Sequence, residues 1–399
     1  NNKVAESDPG NTAATGDKST ILLIGVTGSG GIAGVSVTVA SLNLMNKTYA
    51  RMMGDITKAQ NITVQAETQY GTVLAITLAA AAGIAGVSGS VAVTYFESRT
   101  EASIGGNANI SNVTGTIYVK INGTTNASSA STAVGAGAAG VAVPISVAVN
   151  RSRFDAFIGQ GVTINAPNNA PNAAIDMDGA LKADARAIIV SMGAGVAGIG
   201  VSAAVAVNRP VMLTYIGVTP DKEVIESSSA SAPGTITVKS VTIDNKLDGS
   251  TDVSGLGLAI GGVAVNGTVA LGFNRAKSYA AINKTNVIVT GDIDITSAMD
   301  GDTNVYATSV VGGSVAVGAT VAVAQIKSEN VAMVETEGTT VRAANITIHA
   351  GTDTDPYDTE AITTVITGSA GSIAVALNFA VAINGSVNRA KVGGTGGIL

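Results

Sequence analysis

The sequence predicts an all-β chain: a repetitive parallel β-helix (β-solenoid), right-handed and running unbroken through residues 1–399. Three observations predict it. Runs alternate residue by residue between β-branched and small or polar side chains, the mark of strands. An Ala-x-Ile/Val element recurs in register along the whole chain, with a period of roughly 52–66 residues. The composition lacks the bulky and charged residues of an ordinary globular core.

That composition bounds the answer first. Hydrophobic residues make up 46%, yet aromatics only 3%, with no Trp, and charged residues only 13%. The apolar share is Val, Ile and Ala beside 49 Gly, with many Ser, Thr and Asn. Such side chains suit narrow, regularly layered strands. The net charge of −6 with interspersed signs gives no basic footprint for nucleic acid. Cys is absent, which fits a chain exported unfolded, where stray disulfides would block passage. The start, Asn1 to Gly10, has no apolar segment of a signal peptide.

Self-comparison locates the repeat. Its anchors are Ala50, Ala102, Ala156, Thr214, Ala280, Ala332 and Ala390. Eleven positions before each stands Val39, Val91, Ile145, Ala203, Val269, Val321 or Phe379. A Gly/Ala-rich stretch precedes these, as in 135–140 and 193–198. A short alternating strand follows the anchor: 62–66, 117–120, 162–166, 236–239, 293–296 and 346–350. Length differences fall in Pro-containing segments, 167–171 and 219–223, read as insertions at solvent-facing turns. The repeat is cut at both ends, so the natural polypeptide is expected to be longer. At about 20 residues per coil each repeat would make two to three coils, and rungs about 4.8 Å apart would give a rod of roughly 90–100 Å.

Each repeat also holds one charge-free run: 19–46, 68–96, 121–150, 187–208, 253–274, 303–326 and 361–388. A hydropathy window reads these as seven membrane helices. The run 253–274, with its many Gly, is a poor helix but an acceptable strand–turn–strand. The segments between runs show no alternating Lys/Arg bias, which spans of alternating orientation require. A membrane β-barrel would need aromatic girdles, and eight Tyr and five Phe are too few and too scattered.

Candidate chemistry is thin. The segment 21–31, with Gly25, Gly28, Gly30 and Gly31, imitates a strand leading into a phosphate loop. It lacks the Gly-Lys-Ser/Thr of that motif, and no acidic residue follows at dinucleotide-site spacing. His349, the single histidine, sits in an alternating strand without a serine elbow. Acidic pairs occur at Asp176/Asp178, Asp292/Asp294 and Asp300/Asp302, with a trio at Asp353, Asp355 and Asp358. None has a calcium-loop spacing, so they read as solvated turn acids. Asn150, Asn208, Asn274 and Asn384 share the position six before the anchor and read as turn-lining residues that cap backbone groups. Asn-x-Ser/Thr triplets at Asn46, Asn61, Asn112 and Asn122 are frequent enough to arise by chance. The sequence therefore predicts no catalytic residue, no cofactor site, no metal site and no enzyme.

The stretch Gly198-Ile-Gly-Val-Ser-Ala-Ala-Val-Ala-Val-Asn208, then the Ala-x-Ile-Gly element, then Val-x-Ile-x-Ala, resembles the repeats of very large bacterial surface proteins. The similarity is to leukotoxin-type filamentous adhesins of anaerobes, within the broader filamentous-haemagglutinin class, and it covers nearly the whole chain. It implies a secreted, cell-surface β-helical shaft, exported by an outer-membrane partner pore. The shaft would act in adhesion or as an extracellular fibre. Its partners would be neighbouring repeats, self-association, or a host-cell or matrix ligand. The alternative is the passenger region of a leukotoxin-like cytotoxin.

Overall fold

A computed structural model of the chain describes residues 19–167, 170, 172–221, 232–351, 359–395 and 397–398. The described residues are all-β, without a helix, and all their strand pairings are parallel. Every strand pairs with its counterpart one repeat away. The anchors themselves form one ladder: Ala50↔Ala102↔Ala156↔Thr214↔Ala280↔Ala332↔Ala390.

This register corrects the coil length. Partners lie a whole repeat apart, so each repeat supplies a single layer rather than two or three. Seven layers then span six steps of about 4.8 Å, roughly 29 Å from Ala50 to Ala390, far short of the expected rod. A coil of about 20 residues would put a turn at each such interval. The strands run on instead, for as many as 44 residues in Thr116–Gly159.

One layer shows the path. Strand Ser240–Ile260 enters the layer up to Asp248 and then runs outward from Thr251. The chain turns at Gly261 and Gly262 and returns along Val263–Asn274. A closing strand, Lys277–Asn283, follows, then a short strand, Asn286–Val289, in a separate sheet. The run 253–274 is thus the strand–turn–strand that its glycines suggested. No helix among the described residues is long and apolar enough to cross a membrane.

Entering, closing and short strands enclose the widest core. Ile175 and Val241, Ile216 and Ile282, and Ile236 and Val287 come from the three kinds of strand, all at most 1% exposed. Each such burial contributes about 1.5–3 kcal/mol, and the stacked ladders repeat it in every layer. Two segments belong elsewhere than the sequence suggested. The runs 162–166 and 236–239 are short strands of the second sheet, paired Ile164↔Ile236. Their layers enter instead through Ile175 and Val241. Both kinds of strand are brief alternations of Ile, Val and Thr, and the insertions fall after the short strand in one layer and before it in the next. Period alone cannot separate them.

Outgoing and returning strands form a narrow two-layered blade whose interior is small and polar. Ser90 Oγ lies 2.7 Å from Ser131 Oγ, Ser129 Oγ 2.7 Å from Ser146 Oγ, and Asn266 Nδ2 donates to Ser309 Oγ at 2.6 Å. At the blade tip one glycine per layer stacks on the last: Gly31, Gly83, Gly137, Gly195, Gly261, Gly313 and Gly371. A Cβ on Gly137 would strike the carbonyl oxygen of Gly83, and Gly137 has φ 147°, which L side chains rarely adopt. Gly140 and Gly198 have ordinary φ but no room either, since a Cβ would press on the Ala194 and Ile260 carbonyls.

The recurrent asparagines lie at the base of the blade and cap backbone groups as expected. They do so from the interior, without left-handed backbone. Asn208 Nδ2 donates to Ala183 O at 2.6 Å in its own layer and to Ser250 O at 3.0 Å in the next. Asn150 and Asn274 repeat the pattern on Thr125 and Asp184, and on Gly249 and Asp302. The corner between entering and outgoing strands turns carbonyls toward the buried interior, and these amides donate to them.

Candidate functional site

The polar chemistry concentrates on the outer side of the closing strands. In Ala-x-Ile the Ala and Ile point inward, so the intervening positions face out. There the sequence places Arg51, Arg99, Glu101, Arg153 and Asp155 in the first layers and Tyr215, Tyr279 and Met333 in later ones. Glu101, Asp155, Tyr215 and Tyr279 there are at most 8% exposed, whereas the Arg51 and Arg99 side chains are 45% and 48% exposed.

The charges there are paired within and across layers. Arg51 grips Glu101 with Nε at 2.7 Å and Nη2 at 2.6 Å, and Ser103 donates to the same carboxylate at 2.9 Å. Arg153 Nε donates to Asp155 at 2.7 and 3.0 Å, while its Nη1 lies 3.5 Å from Asp221. Lys277 reaches Asp221 from the other side at 3.5 Å. Burial pushes the Asp155 carboxyl above the usual range, and the neighbouring Arg153 pulls it back. Asp221 thus ties three layers together from the start of the longest insertion. Pro220 and Asp221 are buried there, so this insertion begins against the closing strands rather than in solvent. Residues 222–231 lie outside the described residues.

Beside Asp221 opens a groove of about 460 Å³, lined among others by Lys277, Tyr279, Glu329, Glu335 and Arg389. Its charged groups pair with one another, while Thr219 Oγ1 and Asn283 Oδ1 on its wall have no hydrogen-bond partner among the described residues. The Tyr279 hydroxyl donates to Glu329 at 2.7 Å, Lys391 lies 3.5 Å from Glu335, and Arg389 4.0 Å from Glu329.

The residues singled out by sequence lie apart from this groove. Asp176, Asp178 and Asp294 line the outer side of the entering strands, with Lys120 3.6 Å from Asp176. Burial raises Asp178, and Asp244 in the next layer is raised by burial and by Asp178. Asp302 accepts the Glu360 amide at 3.3 Å, a corner role. Asp353, Asp355 and Asp358 lie outside the described residues. Among the described residues no three acids or histidines are grouped to hold a metal. His349 pairs in register with Thr296 on an entering strand. The glycine segment 25–31 leads into strand Ala33–Met52, not into a helix N-terminus. Asn112 adopts φ 55° and caps Thr57 O at 3.0 Å. Sequence reading passed over Arg153 and Asp221. The alternation Arg151-Ser-Arg-Phe-Asp155 inside a strand was the available signal of a charged outer row. No family model, curated protein or solved structure matches the chain.

Proposed function

We propose that the chain is a stretch of right-handed parallel β-helix serving as the structural and adhesive shaft of a secreted bacterial surface filament. One observation carries the reading: the anchors of all seven copies stand in one cross-layer ladder, and a tip glycine recurs in every layer, while the outer charges differ from layer to layer. A molecule that acts through length needs that constancy, and its contacts with neighbours are sums over layers. The resemblance to filamentous adhesins supplies the cell-surface setting and the export partner.

Removal of residues 102–155 joins Glu101 to Ala156 in register and deletes one layer. Adhesion of chain-coated beads to host cells or matrix should fall in proportion to the layers removed. A single-residue change that abolishes adhesion while the strands stay folded would point to a localised site and overturn the reading. The cytotoxic-passenger reading is favoured by the apolar outer side of the blade, and dye release from host cells on addition of the chain would select it.

A further inference from the structure

The blade is built inside out. Its interior holds mostly Ser, Thr, Asn, Gly and Ala, with Ile189, Val253, Val305 and Val311 among them, whereas the outward positions of the returning strands are mostly apolar. Val143, Ile145, Val147 and Val149 face out in one layer, and Ile199, Val201, Ala203 and Val205 in the next. The residues eleven before each anchor, Val39 through Phe379, are one ladder on this side. Inner layers are exposed too: Val201 is 48% and Val263 50% open although a layer lies on either side. No charged residue stands at the outward positions of the returning strands, because these strands are the second halves of the charge-free runs.

Seven strands about 4.8 Å apart, each about nine residues long at roughly 3.3 Å per residue, make a flat face of roughly 1,000 Å². The largest apolar patch on a typical monomer is about 300–600 Å². Doubled, the face reaches about 2,000 Å², where the interfaces of obligate homodimers begin. The opposite side of the blade is also apolar toward the tip, with Leu256, Ile260, Val310 and Ile366 exposed, but is polar or charged toward the base. The outgoing strands mix Leu and Ile with Ser128, Thr132, Arg186, Asp252 and Asn304. A bilayer would need aromatic residues at two borders, and the chain has no Trp and only eight Tyr and five Phe.

We propose that the outer face of the returning strands binds the same face of a second copy of this chain. The face is built mainly of Val and Ile, with Leu271, Phe273, Leu377 and Phe379 in later layers. Its ridges repeat at the layer spacing, and a sheet with the same spacing interdigitates with it about 10 Å away. A two-fold axis satisfies both faces at once. The pairing names a lateral partner for the stack and rests on the parallel register, not on the adhesive role.

Sedimentation of the chain at micromolar concentration should give a dimer or a multiple of it. Ile145→Lys with Val201→Lys should give a monomer with unchanged far-ultraviolet circular dichroism. Because the chain has no Cys, Ile145→Cys and Thr132→Cys each carry a unique thiol. Maleimide should label Ile145→Cys at least tenfold more slowly than Thr132→Cys on the opposite side. A monomeric parent chain, or equal labelling rates, would overturn the proposal and leave the shaft reading standing. Flotation of the chain with phosphatidylcholine vesicles, relieved by the two Lys substitutions, would also overturn it, in favour of a bilayer.

Discussion

Gly137→Ala asks whether the layers stack as closely as the register implies. Gly137 sits at the blade tip with φ 147°, and an added Cβ would strike the Gly83 carbonyl one layer away. An L residue in that conformation costs about 1–3 kcal/mol. Forcing a methyl into a filled space costs about 1–3 kcal/mol more. The backbone on both sides is hydrogen-bonded into neighbouring layers, so relief by local movement is limited. Strain and overpacking together give a loss of about 2–6 kcal/mol for the layers around the tip. The control is Gly267→Ala on the returning strand, where nothing lies within 4 Å and φ is ordinary. There the change should be neutral or slightly stabilising, since Ala restricts the unfolded chain. Chemical unfolding followed by circular dichroism compares the two. Equal midpoints would show that the glycine stack is merely permissive and would refute the reasoning. Gly140→Val and Gly198→Val should follow Gly137→Ala.

Further outcomes follow from the other ladders. Asn208→Ala removes the side-chain donor to the Ala183 and Ser250 carbonyls at a fully buried position. It should cost about 2–4 kcal/mol, whereas Asn46→Ala, with one 3.4 Å bond, should cost little in the same unfolding assay. Arg153→Met leaves Asp155 and Asp221 short of a partner and should cost about 3–5 kcal/mol, with part recovered when Asp155→Leu is added. Burial raises Asp178, Asp184 and Asp244, so between their unfolded and folded pKa values the folded chain holds more protons than the unfolded one. Their contribution should therefore be greatest in mild acid and fade as pH rises through the folded values. Unfolding midpoints across that range should show Asp244→Asn flattening the decline, and an unchanged slope would contradict the assignment.

How far the sequence reached follows from what repeats. The anchor ladder from Ala50 to Ala390 was legible because each layer must present the same side chain to the next, and self-comparison reads that directly. The stacked asparagines were legible for the same reason. Coil length was not, because a long strand that bends at a corner looks locally like two strands and a turn. The blade's polarity was hidden as well. Alternation of Val with Ser or Ala in 141–149 shows two faces but not which is inside, and the usual assumption puts Val inward. The Arg153–Asp155–Asp221 contacts join positions 68 residues apart, a distance that no local pattern spans.

The central claim is one layer per repeat, and a single distance tests it. Arg51 and Lys391 occupy the same outward position in the first and seventh layers, linked through Ser103, Phe157, Tyr215, Ala281 and Met333. Spin labels on Arg51→Cys and Lys391→Cys, in a chain with no other thiol, allow a pulsed electron-resonance measurement. Six steps predict a separation of roughly 29 Å, broadened by the label arms. Two or three coils per repeat would place the labels roughly 58–86 Å apart and would contradict the account.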